Sequence, residues 1–160
     1  MKKKKIAEPD HDFVLEYLSG DCLKGQFFFS SELSIIKCTA GSATISINSR
    51  NHEFAAKMNF LLVEATLLSI VTCSDDFQII MCRFSLQFMN EIYPTLDNKI
   101  FEVLPYSAPD LYNEDELEVT NLAFRQICLL DRRKDHPYHH KLVVNLVVNY
   151  ILEIYGMTRH

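Results

Sequence analysis

A chain of 160 residues with 48% apolar composition is long enough for one domain with a substantial core and too short for two. The formal charge is −5, and with the run Lys2, Lys3, Lys4 and Lys5 set aside the remainder carries 12 basic against 21 acidic residues, a body that repels a phosphate backbone. Glu64 breaks the best apolar stretch, 59–73, short of the ~18 residues a membrane span needs, and no apolar run follows the lysines to make a secretion signal, so the expectation is a cytoplasmic protein that meets no membrane.

Residues 1–25 read as an N-terminal arm whose lysines form a solvated tail. From 26 to 85 the sequence breaks into short strands, predicted at 27–29, 34–40, 42–48, 52–56, 60–63, 67–73 and 77–84. Turn residues separate them at strand-length intervals: Ser30-Ser31, Gly41, Ser49-Arg50-Asn51, Met58-Asn59 and Ser74-Asp75-Asp76. Such spacing predicts an all-β sandwich or barrel.

Side chains two apart share a strand face. Ile36, Cys38 and Ala40 fall on one face, Ala43, Ile45 and Ile47 on another, and Phe77, Ile79, Met81 and Arg83 on a third. Turned inward, these faces make a ligand pocket drawn from Cys38, Ile45, Ile47 and Met81, with Arg83 its only charge. A buried arginine needs a partner, so either Glu64 pairs with it or Arg83 awaits an anionic or polyhydroxylated ligand.

After Ser85 the period changes. Phe88, Met89 and Ile92 mark a short helix that Pro94 stops, and an irregular stretch runs through Pro105 and Pro109. A longer helix opens at Asn113, with Glu116 placed for a capping box and Val119, Leu122, Ala123, Gln126, Ile127 and Leu130 on one face. The last helix is predicted over 137–155, with Gly156 as its C-cap.

That helix is unusually apolar, with 11 of the 14 residues from 142 to 155 hydrophobic. Val143, Leu146, Val147, Tyr150, Ile151 and Ile154 make the stripe that packs on the rest of the domain. Leu142, Val144, Val148, Leu152 and Tyr155 are left for a second surface, which predicts a homodimer seam whose register Asn145 and Asn149 fix.

Motifs for chemistry are sparse. His52 stands alone in its hairpin, with Glu53 and Glu64 near in sequence but no further ligand on 67–73, whereas a metal needs three or four converging groups. His136 and His140 share a helix face without a carboxylate or cysteine at ligand spacing, and Pro137 marks the cluster with His139 as a helix start. There is no GxSxG, no pair of carboxylates for acid and base roles, and with four glycines no phosphate cradle. The five cysteines, Cys22, Cys38, Cys73, Cys82 and Cys128, form no CxxC pair and suit reduced thiols. The expectation is no enzyme, no metal and no cofactor.

The order of parts resembles the amino-terminal sensing and dimerisation half of AraC-family transcription regulators, a cupin-like barrel followed by an antiparallel helix pair. The likeness runs from about Phe28 to Gly156. It rests on the glycine-led strand 41–48 with Phe54, on Phe60-Leu61-Leu62-Val63, and on the strand 76–85 that closes with Phe84 and Ser85 before a short helix. The chain departs at Met58-Asn59, where the family commonly has Gly-Asp, and at Glu64-Ala65, where a proline often follows. The resemblance implies a domain organised as arm (1–25), barrel (26–85) and helical dimerisation part (86–160). It implies a small metabolite or sugar as ligand, and contact with DNA only through a helix-turn-helix half that lies beyond His160. The alternative is a metal-dependent or degenerate cupin enzyme, or a free-standing small-molecule-binding cupin.

Overall fold

The structure, a computed structural model, describes residues 12–20, 23–29, 32–64 and 66–158. The lysine run, Cys22, the Ser30-Ser31 break and Ala65 lie outside the described residues.

Eight strands form two antiparallel sheets: β1 (Phe13–Ser19), β2 (Phe27–Phe29), β3 (Ser34–Ala40), β4 (Ser42–Ile47), β5 (Arg50–Ala55), β6 (Asn59–Leu62), β7 (Leu67–Cys73) and β8 (Gln78–Phe84). One sheet has the order β1-β8-β3-β6 and the other β2-β7-β4-β5. Seven of these strands are those the alternation predicts. β1 is the exception, because residues 13–19 of the expected arm pair antiparallel with β8, Phe13 opposite Phe84 and Ser19 opposite Gln78. Its burial is mixed along its length, so the run FVLEYLS lacks the clean two-residue period that marks a strand.

The chain changes sheets between β3 and β4 at Gly41 and again between β7 and β8 over 74–77. These two crossings pack on each other. Gly41 has φ +71°, and a Cβ there would lie 2.5 Å from Ser74 Oγ, 2.7 Å from Asp76 Oδ1 and 2.8 Å from the Phe77 Cα. Only glycine fits both the dihedral and the space. Ser42 and Ser74 seal the junction, the Ser42 N–H donating to Ser74 Oγ at 3.0 Å and the Ser74 N–H to the Ser42 carbonyl at 2.9 Å.

Four helices follow: α1 (Leu86–Ile92), α2 (Asn98–Val103), α3 (Glu114–Asp131) and α4 (His139–Thr158). Ser85 caps α1, and Asn113 with Glu116 forms the expected capping box on α3. α2 falls inside the stretch that reads as irregular, begun by an Asp97 cap. Gly156 does not end α4, which continues to Thr158.

Two apolar layers result. Between the sheets lie Phe28, Ile36, Cys38, Ile45, Phe54, Phe60, Phe77 and Met81 among others. Between the first sheet and the helices lie Ile35, Leu61, Cys82, Phe84, Phe88, Phe124, Ile127 and the inner stripe of α4. Of the stripe predicted to face inward, Val143, Val147, Tyr150, Ile151 and Ile154 are each 0% exposed, while Leu146 is half-buried. Burial of each such side chain contributes about 1.5–3 kcal/mol.

Candidate functional site

The pocket expected between the sheets is an apolar core. Cys38, Ile45, Ile47 and Met81 are all buried there and belong to one packed cluster, with Phe54 edge-on to Phe60 at 5.2 Å and to Phe77 at 6.3 Å. Burial raises the Cys38 thiol to about 11, so it is a protonated core group rather than a nucleophile.

Arg83 does not meet Glu64. The pairing of β1 with β8 sets Glu16 opposite Met81 and Val14 opposite Arg83, which makes Glu16 and Arg83 diagonal neighbours on one face. The guanidinium donates to Glu16 Oε1 through Nη2 and, at 3.0 Å, through Nε. Arg83 pairs with Glu16 rather than Glu64 because β1, from the expected arm, joins the sheet beside β8. Glu64 is exposed and lies beyond the end of β6.

The described histidines are committed within the fold. His52 lies 3.0 Å from Asp110. His139 contacts the Leu130 carbonyl at 2.9 Å and stacks near Phe13. The His136 ring nitrogen Nδ1 accepts from the Tyr138 N–H at 3.0 Å. His140 meets two carboxylates that sequence spacing hides, Asp12 at 2.7 Å through Nδ1 and Glu91 at 2.7 Å through Nε2. Among the described residues no group of three or more His, Cys, Asp or Glu side chains gathers to hold a metal ion. Among the described residues Cys38, Cys82 and Cys128 are free thiols.

A cavity of about 630 Å³ opens between the outer face of the first sheet and α3. Its floor is apolar, with Ile80, Leu117 and Phe124, and its rim carries Lys37, Lys57 and Arg125 together with Glu114 and Glu118. Lys37 projects from β3 with its ammonium 5.7 Å from the Phe124 ring centroid, a cation–π contact. Burial, the largest effect, holds that ammonium below the ordinary lysine value, and Arg125 adds to it. Among the described residues no carboxylate forms an ion pair with Lys37. Lys57 has φ +77°, a left-handed conformation that costs a non-glycine residue on the order of 1 kcal/mol, in the turn before β6.

A buried polar chain leads from this cavity into the helix pair. Asn121, on the cavity wall, donates to the Lys57 carbonyl at 2.8 Å and accepts from Asn59 Nδ2 at 2.9 Å. Asn59 also donates to Thr120 Oγ1 at 2.9 Å, and its carbonyl accepts from the Tyr150 hydroxyl at 2.6 Å. Asn59, Thr120 and Tyr150 are each 0% exposed. Sheet, α3 and α4 are thus joined at one side chain. Asn59 heads the apolar run NFLL, and a polar residue leading a wholly buried strand was the available signal for it.

The face of α4 expected to lie free is mostly occupied. Leu142, Val144, Val148 and Tyr155 are half-buried against the helical core, and only Leu152, at 47%, with Asn145 and Asn149, is exposed. The second cover is the chain itself, since α2 and the 104–106 turn both touch α4. On α3 the core stripe is Thr120, Ala123, Phe124, Ile127 and Leu130, while Val119, Leu122 and Gln126 of the expected face, with Leu129, point outward. No helix among the described residues is long and apolar enough to cross a membrane.

No protein-family profile and no curated protein matches the chain. Solved structures do. An apo variant of ToxT from Vibrio cholerae superposes with a TM-score of 0.57 at 9% identity, covering 96% of this chain and 59% of that one. ToxT from Vibrio cholerae O395 bound to (E)-4-(8-methylnaphthalen-1-yl)but-3-enoic acid gives 0.53 at 11% identity, over 92% of this chain and 58% of that one. A further ToxT structure from the same strain gives 0.51 at 9% identity, over 91% and 55%. The chain therefore spans less than two thirds of the length of ToxT. Two four-stranded antiparallel sheets followed by a helix pair, matched along nearly the whole chain, give it the cupin-like fold of ToxT, an AraC-family regulator.

Proposed function

We propose that the chain is the ligand-sensing and dimerisation domain of an AraC-type transcription regulator, working in the cytoplasm and reaching DNA through a helix-turn-helix half outside this sequence. It performs no catalysis on this reading. The observation that carries it is the cavity between β3 and α3, walled by the sheet on one side and a helix on the other and linked through Asn121, Asn59 and Tyr150 to α4.

Its chemistry favours a small organic acid with an apolar body over a sugar. The floor offers apolar contact to the body, and Lys37, whose ammonium pairs with no carboxylate among the described residues, gains most from an anion. A protein of the same fold, ToxT, has been solved with an arylbutenoic acid bound. An acid spanning Lys37 on β3 and Arg125 on α3 binds one spacing of sheet and helix better than another, and that differential affinity moves the helix pair.

Titration calorimetry with (E)-4-(8-methylnaphthalen-1-yl)but-3-enoic acid tests the site. Binding is expected to weaken about tenfold in Lys37→Met, the loss of one charge-assisted contact of about 1.5 kcal/mol. Binding indifferent to Lys37→Met and to Arg125→Gln, or none at all, removes the cavity from this reading. Sequencing the reading frame beyond His160 tests the regulatory half, which is expected to contain helix-turn-helix units.

A further inference from the structure

The ladder between β3 and β6 ends with Ser34 opposite Leu62. Just beyond the ends of these strands the chain carries Glu32 and Glu64. Both carboxylates act on one aromatic side chain: the Tyr93 phenol is raised to about 12, first by burial and then by Glu32 and Glu64. Tyr93 stands edge-on to Phe101, with ring centroids 5.4 Å apart at 76°. The two rings, with Leu33, Leu104, Asn98 and Glu64, line a half-open cavity of about 440 Å³ on the side of the molecule where the end of β6 meets the 93–105 stretch. Among the described residues no cationic side chain lines it.

An apolar crevice with aromatic walls and a negative rim has a specific preference. The quadrupoles of the rings attract a cation, and a weakly hydrated organic cation loses little on leaving water. A metal ion is not suited to it, because walls of this kind supply too few oxygen or nitrogen ligands to replace its hydration shell. A neutral or anionic guest gains nothing from Glu64 and meets the field that already disfavours the Tyr93 phenolate.

We propose that this cavity is a binding site for a small organic cation, a protonated or quaternary amine with an apolar substituent, whose charged head sits against Tyr93 and Phe101 with Glu64 as its counterion. The site lies apart from the cavity beneath α3 and takes a ligand of opposite charge. Its occupancy braces the segment 93–105, which in turn touches α4.

The test is an NMR titration of the whole chain with phenethylammonium chloride, with 2-phenylethanol and potassium chloride as neutral and inorganic controls. At about pH 7, where the amine is protonated, the ammonium ion is expected to shift the ring resonances of Tyr93 and Phe101. The alcohol should bind at least about tenfold more weakly, and Glu64→Gln, at an exposed position where the fold is not at stake, should weaken the ammonium about five- to tenfold. Phe101→Leu should weaken it as well, with the Tyr93 resonances reporting that the wall remains folded. No shift at Tyr93 by about 10 mM ammonium overturns the proposal. So does equal binding of the alcohol, an unchanged affinity in Glu64→Gln, or a matching response to potassium chloride, since each reduces the cavity to an apolar crevice or a screened surface.

Discussion

Gly41 has the least freedom of any residue in the barrel, held by its φ of +71° and by the approach of residues 74–77. Gly41→Ala is expected to cost about 2–3 kcal/mol, the upper part of the range for a strained left-handed residue, because one of the atoms in the way is main chain and cannot rotate aside. Urea unfolding measures it. Position 41 was legible as a turn from its flanking alternation, but the reason no other residue fits was not, since it lies in the second crossing at 74–77. His140 shows the same limit. Its spacing from His136 invites a metal reading, whereas its partners, Asp12 and Glu91, are distant in sequence and come from the residue before β1 and from α1. Both ring nitrogens face carboxylates, and the hydrogen bond donated to Asp12, followed by that to Glu91, favours the imidazolium and raises its pKa above the ordinary 6.5. A raised folded value means that this contribution to stability is fully present below 6.5 and is lost as pH rises through the folded value. The effect is modest, because the ring is half exposed and screened. Comparing unfolding midpoints at about pH 6 and about pH 8.5, His140→Gln should remove part of the wild-type decline; an unchanged decline would locate it elsewhere.

At the scale of elements the instructive case is the helix pair. Composition shows α4 buried on two sides, and it is. The identity of the second cover could not be read, because α2 and the 104–106 turn come from a stretch whose prolines hide its helical residues. A second apolar row stands on the outward side of α3, where Val119, Leu122 and Leu129 are 38%, 56% and 45% exposed with Gln126 between them, Leu122 also reaching the cavity beneath α3. Residues at spacings of three and four on a solvent face have no reason to be apolar in a lone domain. If the chain pairs there, Leu122→Glu with Leu129→Glu should convert a dimer into a folded monomer in sedimentation at about 50 µM. Val148→Glu should instead unfold the protein, since Val148 packs into its own helical core. A wild-type chain that sediments as a monomer removes the dimer from the proposal. β1 escaped notice for a related reason: as an edge strand with one mixed face it lacks the period that betrays central strands.

The molecule as a whole is three layers, the second sheet, the first sheet and the helices, and its candidate sites lie outside the layer where the strand faces pointed. Alternation sets Ile36, Cys38, Ala43, Ile45, Ile47, Phe77, Ile79 and Met81 on shared strand faces, and between the sheets they pack with Phe28, Phe54 and Phe60, which fill the space. The cavities form instead where elements from separate parts of the chain fail to close on each other, beneath α3 and beside α2, and no local pattern records such a gap. A last consequence comes from the pairing of Phe13 with Phe84. β1 leaves the ribosome well before its partner β8 and cannot pair until β8 has been made, a delay of roughly ten seconds at ordinary elongation rates. Throughout that interval its phenylalanine and leucines are exposed on the nascent chain, and every later strand offers a wrong partner. Yield in the cell therefore depends on how well this segment is shielded during synthesis, and slower translation of the codons between β1 and β8 should lower it even though the finished protein is equally stable.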